Sequence, residues 1–131
     1  GPTAFATALA VSGLPTGRFT FEGFLSVNKK SRREHLEEVK DEKRTMIFYE
    51  SPFRLVKALE QMAEVFGPIR HACVAREISK MFEEFKRGTL EELAGWYKQN
   101  GVKGEIVLIV AGKDYNLAEE EGSHIEIEEE E

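Results

Sequence analysis

The chain has 131 residues, 41% hydrophobic and 32% charged, with a formal net charge of −6, values typical of one soluble globular domain that buries its own core. A single cysteine, Cys73, excludes a disulfide framework within the chain and favours the cytoplasm. No apolar stretch approaches the roughly 20 residues that span a bilayer, and no signal segment opens the chain, so we expect no membrane partner.

Small and apolar residues at helical spacing begin the chain. They predict a helix over residues 3–12, followed by a turn over 14–17. Phenylalanine and glycine then alternate with polar residues, which predicts a strand over 18–24. The next apolar segment, over 45–49, is short and rich in aromatic and β-branched residues, which predicts a buried strand.

Capping residues predict two helix starts near these strands. Ser31 followed by Glu34 is a capping-box signature, so a helix is expected over about 32–41. Ser51 can cap a second helix, and Pro52 suits its first position because proline lacks the N–H group that would be unpaired there. Apolar residues at helical spacing continue that helix until a Gly-Pro pair stops it.

The second half of the chain continues the alternation of strands and helices. Short strands are predicted over 71–75 and 82–87, and Thr89 with Glu92 forms a capping box that opens another helix. Residues 105–111 are apolar almost throughout, which predicts the central strand of a sheet. The order of elements therefore predicts an α/β fold with a mixed, largely buried sheet and helices on both faces.

Charge is unevenly distributed along the chain. Residues 118–131 hold eight of the 24 acidic residues and no Lys or Arg, which leaves 16 acids against 18 bases, a net charge of +2, in the rest. We therefore expect a mildly basic domain over 1–114 and an acidic tail over 115–131. Solvated disorder is the expectation for that tail, with a regulatory mimic of nucleic acid as the alternative.

Three strand ends carry residues suited to a ligand, because ligands in open α/β sheets collect where strands end. Residues 49–54 join a strand to a helix start with free N–H groups. Charged residues follow a strand over 75–80, and Gly104 precedes the predicted central strand. Each has a structural alternative: a capped turn, a solvated loop, and a glycine that serves a turn rather than a ligand.

A basic stretch over 28–33 is suited to RNA phosphates. Five acidic residues lie close to it, so a surface helix laced by salt bridges is the alternative. The three histidines are scattered and the single cysteine adds no ligand cluster, so no metal site is expected. No phosphate-loop, dinucleotide-binding or nucleophile-elbow motif occurs.

Six short motifs occur in a fixed order. They are Gly1–Phe5 (GPTAF), Ser12–Thr16 (SGLPT), Phe21–Leu25 (FEGFL), Arg44–Pro52 (RTMIFYESP), Ala75–Lys80 (AREISK) and Arg87–Thr89 (RGT). Together they resemble the ribosomal RNA small-subunit methyltransferase I family, within the tetrapyrrole methylase superfamily, over about residues 1–112. The resemblance departs from the family pattern at Ser26, where a proline is common, and at Phe53, where a histidine is common.

The resemblance implies the second domain of the two-domain tetrapyrrole methylase fold. Because the chain starts at Gly1 rather than Met, we expect a cut inside a longer protein, with a missing N-terminal domain as a partner. The family implies S-adenosyl-L-methionine as cofactor, held between the two domains. It also implies a homodimer that transfers a methyl group to the 2′-hydroxyl of a cytidine ribose in 16S ribosomal RNA of the small ribosomal subunit.

By similarity, the site residues fall into three groups. The expected cofactor contacts are Pro2, Thr3, Ala4, Tyr49, Glu50, Ala75, Arg76, Glu77, Ile78, Gly104 and Glu105. The candidate catalytic residues are Glu77, Lys80 and Arg76, and the expected RNA contacts are Lys29, Lys30, Arg32, Arg33 and Arg87. Two other functions stay open: methylation of a tetrapyrrole or other small molecule, and a non-catalytic RNA-binding or dimerisation module.

Overall fold

The computed structural model describes the backbone of residues 2–78 and 81–115 and the side chains of residues 5–77 and 84–115. Helices and strands alternate as expected. In chain order they are α1 (Pro2–Val11), β1 (Phe19–Phe24), α2 (Lys29–Val39), β2 (Thr45–Glu50), α3 (Leu55–Phe66), β3 (His71–Ile78), β4 (Met81–Thr89), α4 (Leu90–Asn100) and β5 (Glu105–Val110). The expected acidic tail, apart from its first residue, lies outside the described residues.

The described strands form a mixed five-stranded sheet in the order β1-β2-β5-β3-β4. β1 and β2 pair in parallel, whereas the β2–β5, β5–β3 and β3–β4 pairs are antiparallel. The last residues of β1, β2 and β3 therefore lie at the same edge as the first residues of β4 and β5. We call this the carboxyl edge. β5 is the central strand, as its continuous apolar run predicted.

Helices cover both faces of the sheet, which confirms the predicted fold class. We call the face under α2, α3 and α4 the three-helix face; its core includes Phe48, Leu59 and Leu108, all inaccessible to solvent. The opposite face, the α1 face, carries a smaller core that includes Ala8 and Ile109. Burial of each large apolar side chain stabilises the fold by roughly 1.5–3 kcal/mol.

Two predicted helix starts were wrong. The N-cap of α2 is Asn28, whose side chain accepts a hydrogen bond from the Ser31 backbone N–H, so the helix begins three residues earlier than expected. Asparagine caps a helix as well as serine does, and here Asn28 rather than Ser31 is the N-cap. α3 begins at Leu55 instead of Pro52, because the Ser51 hydroxyl accepts from Phe53 N–H and closes a turn first.

The capping box of α4 is confirmed. The Thr89 hydroxyl accepts from Glu92 N–H at 3.1 Å, and the Glu92 carboxylate accepts from Thr89 N–H at 2.9 Å. These hydrogen bonds with Thr89, first through its backbone, hold the pKa of Glu92 below its usual value. Two otherwise unpaired N–H groups of the helix start are thereby satisfied.

β3 and β4 are both longer than the short apolar segments that predicted them. They pair antiparallel from His71 opposite Thr89 to Ile78 opposite Met81, with an irregularity between Arg76 and Glu77. Because β3 is hydrogen-bonded on both sides, to β4 and β5, its polar end continues the strand despite the break in apolar pattern. Among the described residues, no helix is both long and apolar enough for a membrane span.

Candidate functional site

Three strand ends that the sequence analysis singled out meet at the carboxyl edge. Glu50 of β2 is the partner of Ile106 in β5, and Ile106 is in turn the partner of Arg76 in β3. Glu77 is the partner of Glu105, the first residue of β5. Adjacent strands lie about 4.8 Å apart, so these segments occupy a region about 10 Å wide. The sheet order, which places β5 between β2 and β3, creates this proximity.

The expected cofactor contacts divide between the two faces of the sheet, because side chains alternate along a strand. Tyr49, Glu77 and Glu105 follow the odd-numbered positions of their strands, which pack on the α1 face. Glu50 and Arg76 follow the even-numbered positions, which pack on the three-helix face. The structure therefore groups three of the predicted contacts on one face and separates two others from them.

Two carboxylates lie side by side on the α1 face. Glu77 and Glu105 are register partners on neighbouring strands, and neither side chain forms an ion pair within the described residues. Like charges directly opposite each other on a sheet are unfavourable, so the pair favours a cation between them. The arrangement is suited to a ligand that carries an ammonium or sulfonium group.

An aromatic cluster lies on the neighbouring strands of the same face, where Tyr49 is the register partner of Val107, two residues from Glu105. The Tyr49 ring lies 5.4 Å from the ring of Phe21 and 5.3 Å from that of Phe24, measured between centroids. Phe21 and Phe24 remain 53% and 66% exposed, so the cluster presents open ring faces at the edge of the sheet. Open aromatic faces suit a planar heterocycle such as adenine. The carboxylate pair and the rings together suit a ligand that carries both a cationic group and a planar heterocycle.

Gly104 has a structural reason for being glycine. Its φ of +84° lies in the left-handed region, and a Cβ built there would collide with the backbone carbonyl oxygen of Glu77. The backbone of the chain itself therefore requires a glycine at this position. Gly104 sets the start of β5 against the end of β3, so it positions the Glu77–Glu105 pair.

Glu50 is a buried carboxylate that joins β2 to the turn before α3. The residue is 3% exposed, and its side chain accepts hydrogen bonds from Ser51 N–H at 2.8 Å and from Arg54 Nε at 3.1 Å. The Arg54 guanidinium therefore compensates the buried charge. Because both contacts are internal, the Glu50 side chain holds the local backbone rather than facing open space on the α1 face.

Arg76 belongs to a hydrogen-bonded chain on the three-helix face. Its Nη2 donates to Glu84 Oε2 at 3.2 Å, and the Tyr97 hydroxyl donates to Glu84 Oε1 at 3.4 Å. Burial, followed by the nearby Glu84 carboxylate, raises the pKa of Tyr97, so its hydroxyl stays protonated and remains a donor. The guanidinium of Arg76 is thereby fixed on the face opposite to Glu77.

Several predicted site residues lie elsewhere or outside the described part. Lys80 is not among the described residues, and Pro2, Thr3 and Ala4 are described only as the first turn of α1. The side chain of Ile78 is likewise outside the described residues, and Ala75 is buried under α1.

Burial raises the pKa of Cys73 to about 11, so its thiol stays protonated and unreactive at neutral pH.

The predicted RNA contacts do not form one patch. Arg87 pairs with Cys73 in the β3–β4 ladder and donates to the Ser12 and Val11 carbonyls, where it caps the end of α1. Lys30 is exposed on α2. Arg33 forms ion pairs with Glu37 at 3.7 Å and Glu64 at 3.2 Å, so the alternative of a salt-bridged helix holds for that residue.

Lys29 and Arg32 line a cleft between α2 and α3 that the sequence analysis did not predict. We call it the basic cleft; its volume is about 380 Å³. Its walls are Val27, Lys29, Arg32, Arg54, Lys57, Glu60, Gln61 and Glu64. Arg54, Lys57 and Gln61 follow a spacing of three and four residues, the pattern of one helix face, and that spacing was the available signal.

The described residues contain no group of three or more His, Cys, Asp or Glu side chains arranged to hold a metal ion.

A family model described as Tetrapyrrole (Corrin/Porphyrin) Methylases matches residues 1–94. The chain is also similar to curated proteins named ribosomal RNA small subunit methyltransferase I. The one from Halalkalibacterium halodurans is 50% identical over 92% of this chain and 42% of its own length.

Two further relatives carry the same name. The protein from Mycobacterium tuberculosis is 47% identical over 86% of this chain and 39% of its own length, and that from Bacillus subtilis is 42% identical over 92% and 41%. The chain thus spans about two fifths of the length of these relatives. The ordered motifs are confirmed as a resemblance to this family.

Solved structures share the fold at low sequence identity. A cobalamin biosynthetic enzyme, cobalt precorrin-4 methyltransferase, superposes with a TM-score of 0.59 at 16% identity, over 83% of this chain and 48% of that one. The methyltransferase CobJ superposes with a TM-score of 0.57 at 21% identity, over 82% and 47%. At this level of identity the similarity establishes the architecture alone.

Proposed function

Because the chain belongs to the tetrapyrrole (corrin/porphyrin) methylase family, we propose that it forms the C-terminal part of an S-adenosyl-L-methionine-dependent methyltransferase. Its proposed substrate is the 2′-hydroxyl of a cytidine ribose in 16S ribosomal RNA. Relatives 42–50% identical that are named for the small-subunit ribosomal RNA support an RNA substrate. The observation that carries the proposal is the placement of Tyr49, Glu77 and Glu105 on one face of three adjacent strands.

The donor is proposed to lie on the α1 face of the carboxyl edge. When bound, S-adenosyl-L-methionine supplies an electrophilic methyl group on a positively charged sulfur. Glu77 and Glu105 attract that positive end, and the rings around Tyr49 contact its planar end. The backbone of residues 75–78 and 104–105 and the first turn of α1 complete the proposed contacts. Glu50 acts through its hold on the backbone next to Tyr49.

Catalysis requires alignment of a ribose oxygen and removal of its proton. Alignment alone can lower the barrier by several kcal/mol, about 7–11 in the best intramolecular cases. The Glu77 carboxylate is the proposed proton acceptor, because it forms no ion pair within the described residues and lies beside the proposed donor site. Lys80 is the second candidate, and Arg76 is proposed to hold the end of β3 through Glu84.

Further partners are proposed from the length of the relatives. The chain spans about two fifths of them, so a preceding N-terminal domain is proposed to close the site from the other side. A cytoplasmic homodimer is the proposed assembly. The domain limits proposed for this part are residues 1–114, with 115–131 as an acidic extension.

In the decisive test, the intact protein is incubated with S-adenosyl-L-methionine that carries a radioactive methyl group. Two methyl acceptors are compared: the unmethylated small ribosomal subunit and a porphyrinoid. Label in ribosomal RNA at a position that becomes resistant to alkaline cleavage supports 2′-O-methylation, because a blocked 2′-oxygen cannot attack its phosphate. Label only in the porphyrinoid supports the small-molecule alternative.

A substitution tests the assignment of the proton acceptor. Glu77→Gln keeps the shape of the side chain and removes its charge, so turnover of the intact protein is expected to fall at least tenfold. RNA binding without any response to S-adenosylhomocysteine would instead indicate a non-catalytic module.

A further inference from the structure

Arg32 is a buried cation whose hydrogen-bond partners among the described residues are all neutral. The residue is only 7% exposed to solvent. Nε donates to Gln61 Oε1, and Nη1 donates to the carbonyls of Ser26 at 3.3 Å and Val27 at 3.4 Å. Within the described residues it forms no ion pair, and no hydrogen bond involves its Nη2. Burial of an uncompensated charge is costly, which favours an anionic partner.

Glu50 is the other buried charged residue in the described part of the chain. Glu50 is 3% exposed and pairs with Arg54, which lines the same cleft as Arg32. A compensating opposite charge is therefore supplied for Glu50 and not for Arg32. Gln61 holds Arg32 in place, since its Nε2 also donates to the Lys29 carbonyl at 3.2 Å. The guanidinium is thus fixed in the wall of the basic cleft.

The remaining charges of the basic cleft are also unbalanced. Neither Lys29 nor Lys57 forms an ion pair within the described residues, although both line the cleft. The two acidic residues of the wall are engaged by cations from outside it. Glu64 pairs with Arg33 at 3.2 Å, and Glu60 pairs with Lys98 at 3.8 Å. The interior of the cleft is therefore positively charged.

The basic cleft adjoins the carboxyl edge. Arg54, in its wall, is bonded to Glu50 at the end of β2. Ser26 and Val27, which contact Arg32, follow the end of β1 at the same edge. A ligand in the cleft would lie on the three-helix face, across the edge from Tyr49, Glu77 and Glu105.

We propose that the basic cleft binds a backbone phosphate of the RNA strand whose ribose lies across the carboxyl edge. The substrate class rests on the proposed function, whereas the phosphate site rests on Arg32, Lys29 and Lys57. A guanidinium presents paired donors that match phosphate oxygens, and its free Nη2 remains available for them. Two lysines add charge without fixed geometry. The site reads no bases and serves to position the strand.

The test compares two double variants with the same change in charge. Lys29→Glu with Lys57→Glu reverses two charges in the basic cleft. Lys43→Glu with Lys113→Glu reverses two at the opposite edge of the sheet, where those lysines form exposed pairs with Asp114 and Asp41. Circular dichroism and urea unfolding are used first to check that both double variants fold. Arg32 is left unchanged because its substitution could loosen α2 from α3.

Binding of a single-stranded RNA oligonucleotide by the full protein is measured over a range of salt concentrations. The cleft variant should bind at least tenfold more weakly at low salt. Its plot of log affinity against log salt should be shallower by about 0.7, since the loss of one phosphate contact on a single strand removes about that much from the slope. The matched control should stay within threefold of the wild type.

Equal RNA affinity of the cleft variant and the control overturns the proposal, as does absence of RNA binding by the wild type. A parallel titration with inorganic phosphate identifies the source of the anion. Amide shifts at Lys29, Arg32 and Lys57 with phosphate, but unchanged RNA affinity in the cleft variant, would mean a free-anion site and would overturn the RNA assignment. RNA binding through the cleft without methyl transfer would refute the proposed function alone.

Discussion

Replacement of Gly104 by alanine should destabilise the protein in two separable ways. The first is conformational, because φ is +84° and a side chain in the left-handed region costs about 1–2 kcal/mol. The second is steric, because the new Cβ would collide with the Glu77 carbonyl oxygen, which is backbone and cannot rotate away. Overpacking of this kind costs roughly 1–3 kcal/mol. We expect a total loss of about 2–5 kcal/mol in the free energy of unfolding.

Gly101→Ala is the matched control for this prediction. Gly101 has a similar φ of +71°, but a Cβ built there meets no atom within 4 Å. Its ψ of 178° lies in a region that almost only glycine adopts, so it should show only a conformational cost, about 1–3 kcal/mol. Urea unfolding of both variants measures the difference in their free energies of unfolding, analysed with one common dependence of free energy on urea concentration. If Gly104→Ala costs no more than Gly101→Ala, the close approach of β3 and β5 at the carboxyl edge is wrong.

Two further predictions concern charged side chains. Glu92→Gln should destabilise the protein at pH 7 by an amount that disappears in acid. The folded pKa of Glu92 is lowered, so its contribution to stability is present above the unfolded pKa, near 4.5, and is lost as pH falls through the folded pKa. Chemical unfolding at pH 7 and pH 3 measures this, and an equal loss of stability at both pH values would contradict it. Arg54→Met removes the partner of buried Glu50 and should cost about 2 kcal/mol at pH 7, a figure reduced from the usual 3–5 because Arg54 is 37% exposed. Arg44→Met, which breaks an exposed pair with Glu42, is its control and should cost clearly less because solvent screens that pair. Equal losses in both variants would refute the argument from burial.

Periodicity was sufficient to predict the order of elements and the central position of β5, because both depend on local apolar patterns. The same patterns ended β3 at Ala75, three residues early. Strand length there is decided by hydrogen bonds to β4 and β5, which no local window contains. Helix starts failed for a related reason: Asn28 and Ser31 were both good caps, and only the folded chain selects between them.

The candidate site required the fold before it could be recognised. Motif resemblance named Tyr49, Glu77 and Glu105, but the sequence order of their strands does not reveal that β5 lies between β2 and β3. The basic cleft was missed because Gln61 lies 29 residues from Arg32, and only the packing of α2 on α3 brings them together. Long-range contacts of this kind leave no periodic signal in the sequence.

The alternation of Arg76 and Glu77 along β3 has a consequence for how the protein can be altered. These residues are adjacent in the chain, yet one is bonded into the helical layer through Glu84 and the other faces the α1 layer. The backbone of β3 thus separates the hydrogen-bonded side chain of Arg76 on one face of the sheet from the side chain of Glu77 on the other. Substitution of Glu77 to accept a different ligand should leave the Arg76–Glu84–Tyr97 hydrogen bonds intact, so ligand preference and scaffold stability can be engineered separately at neighbouring positions.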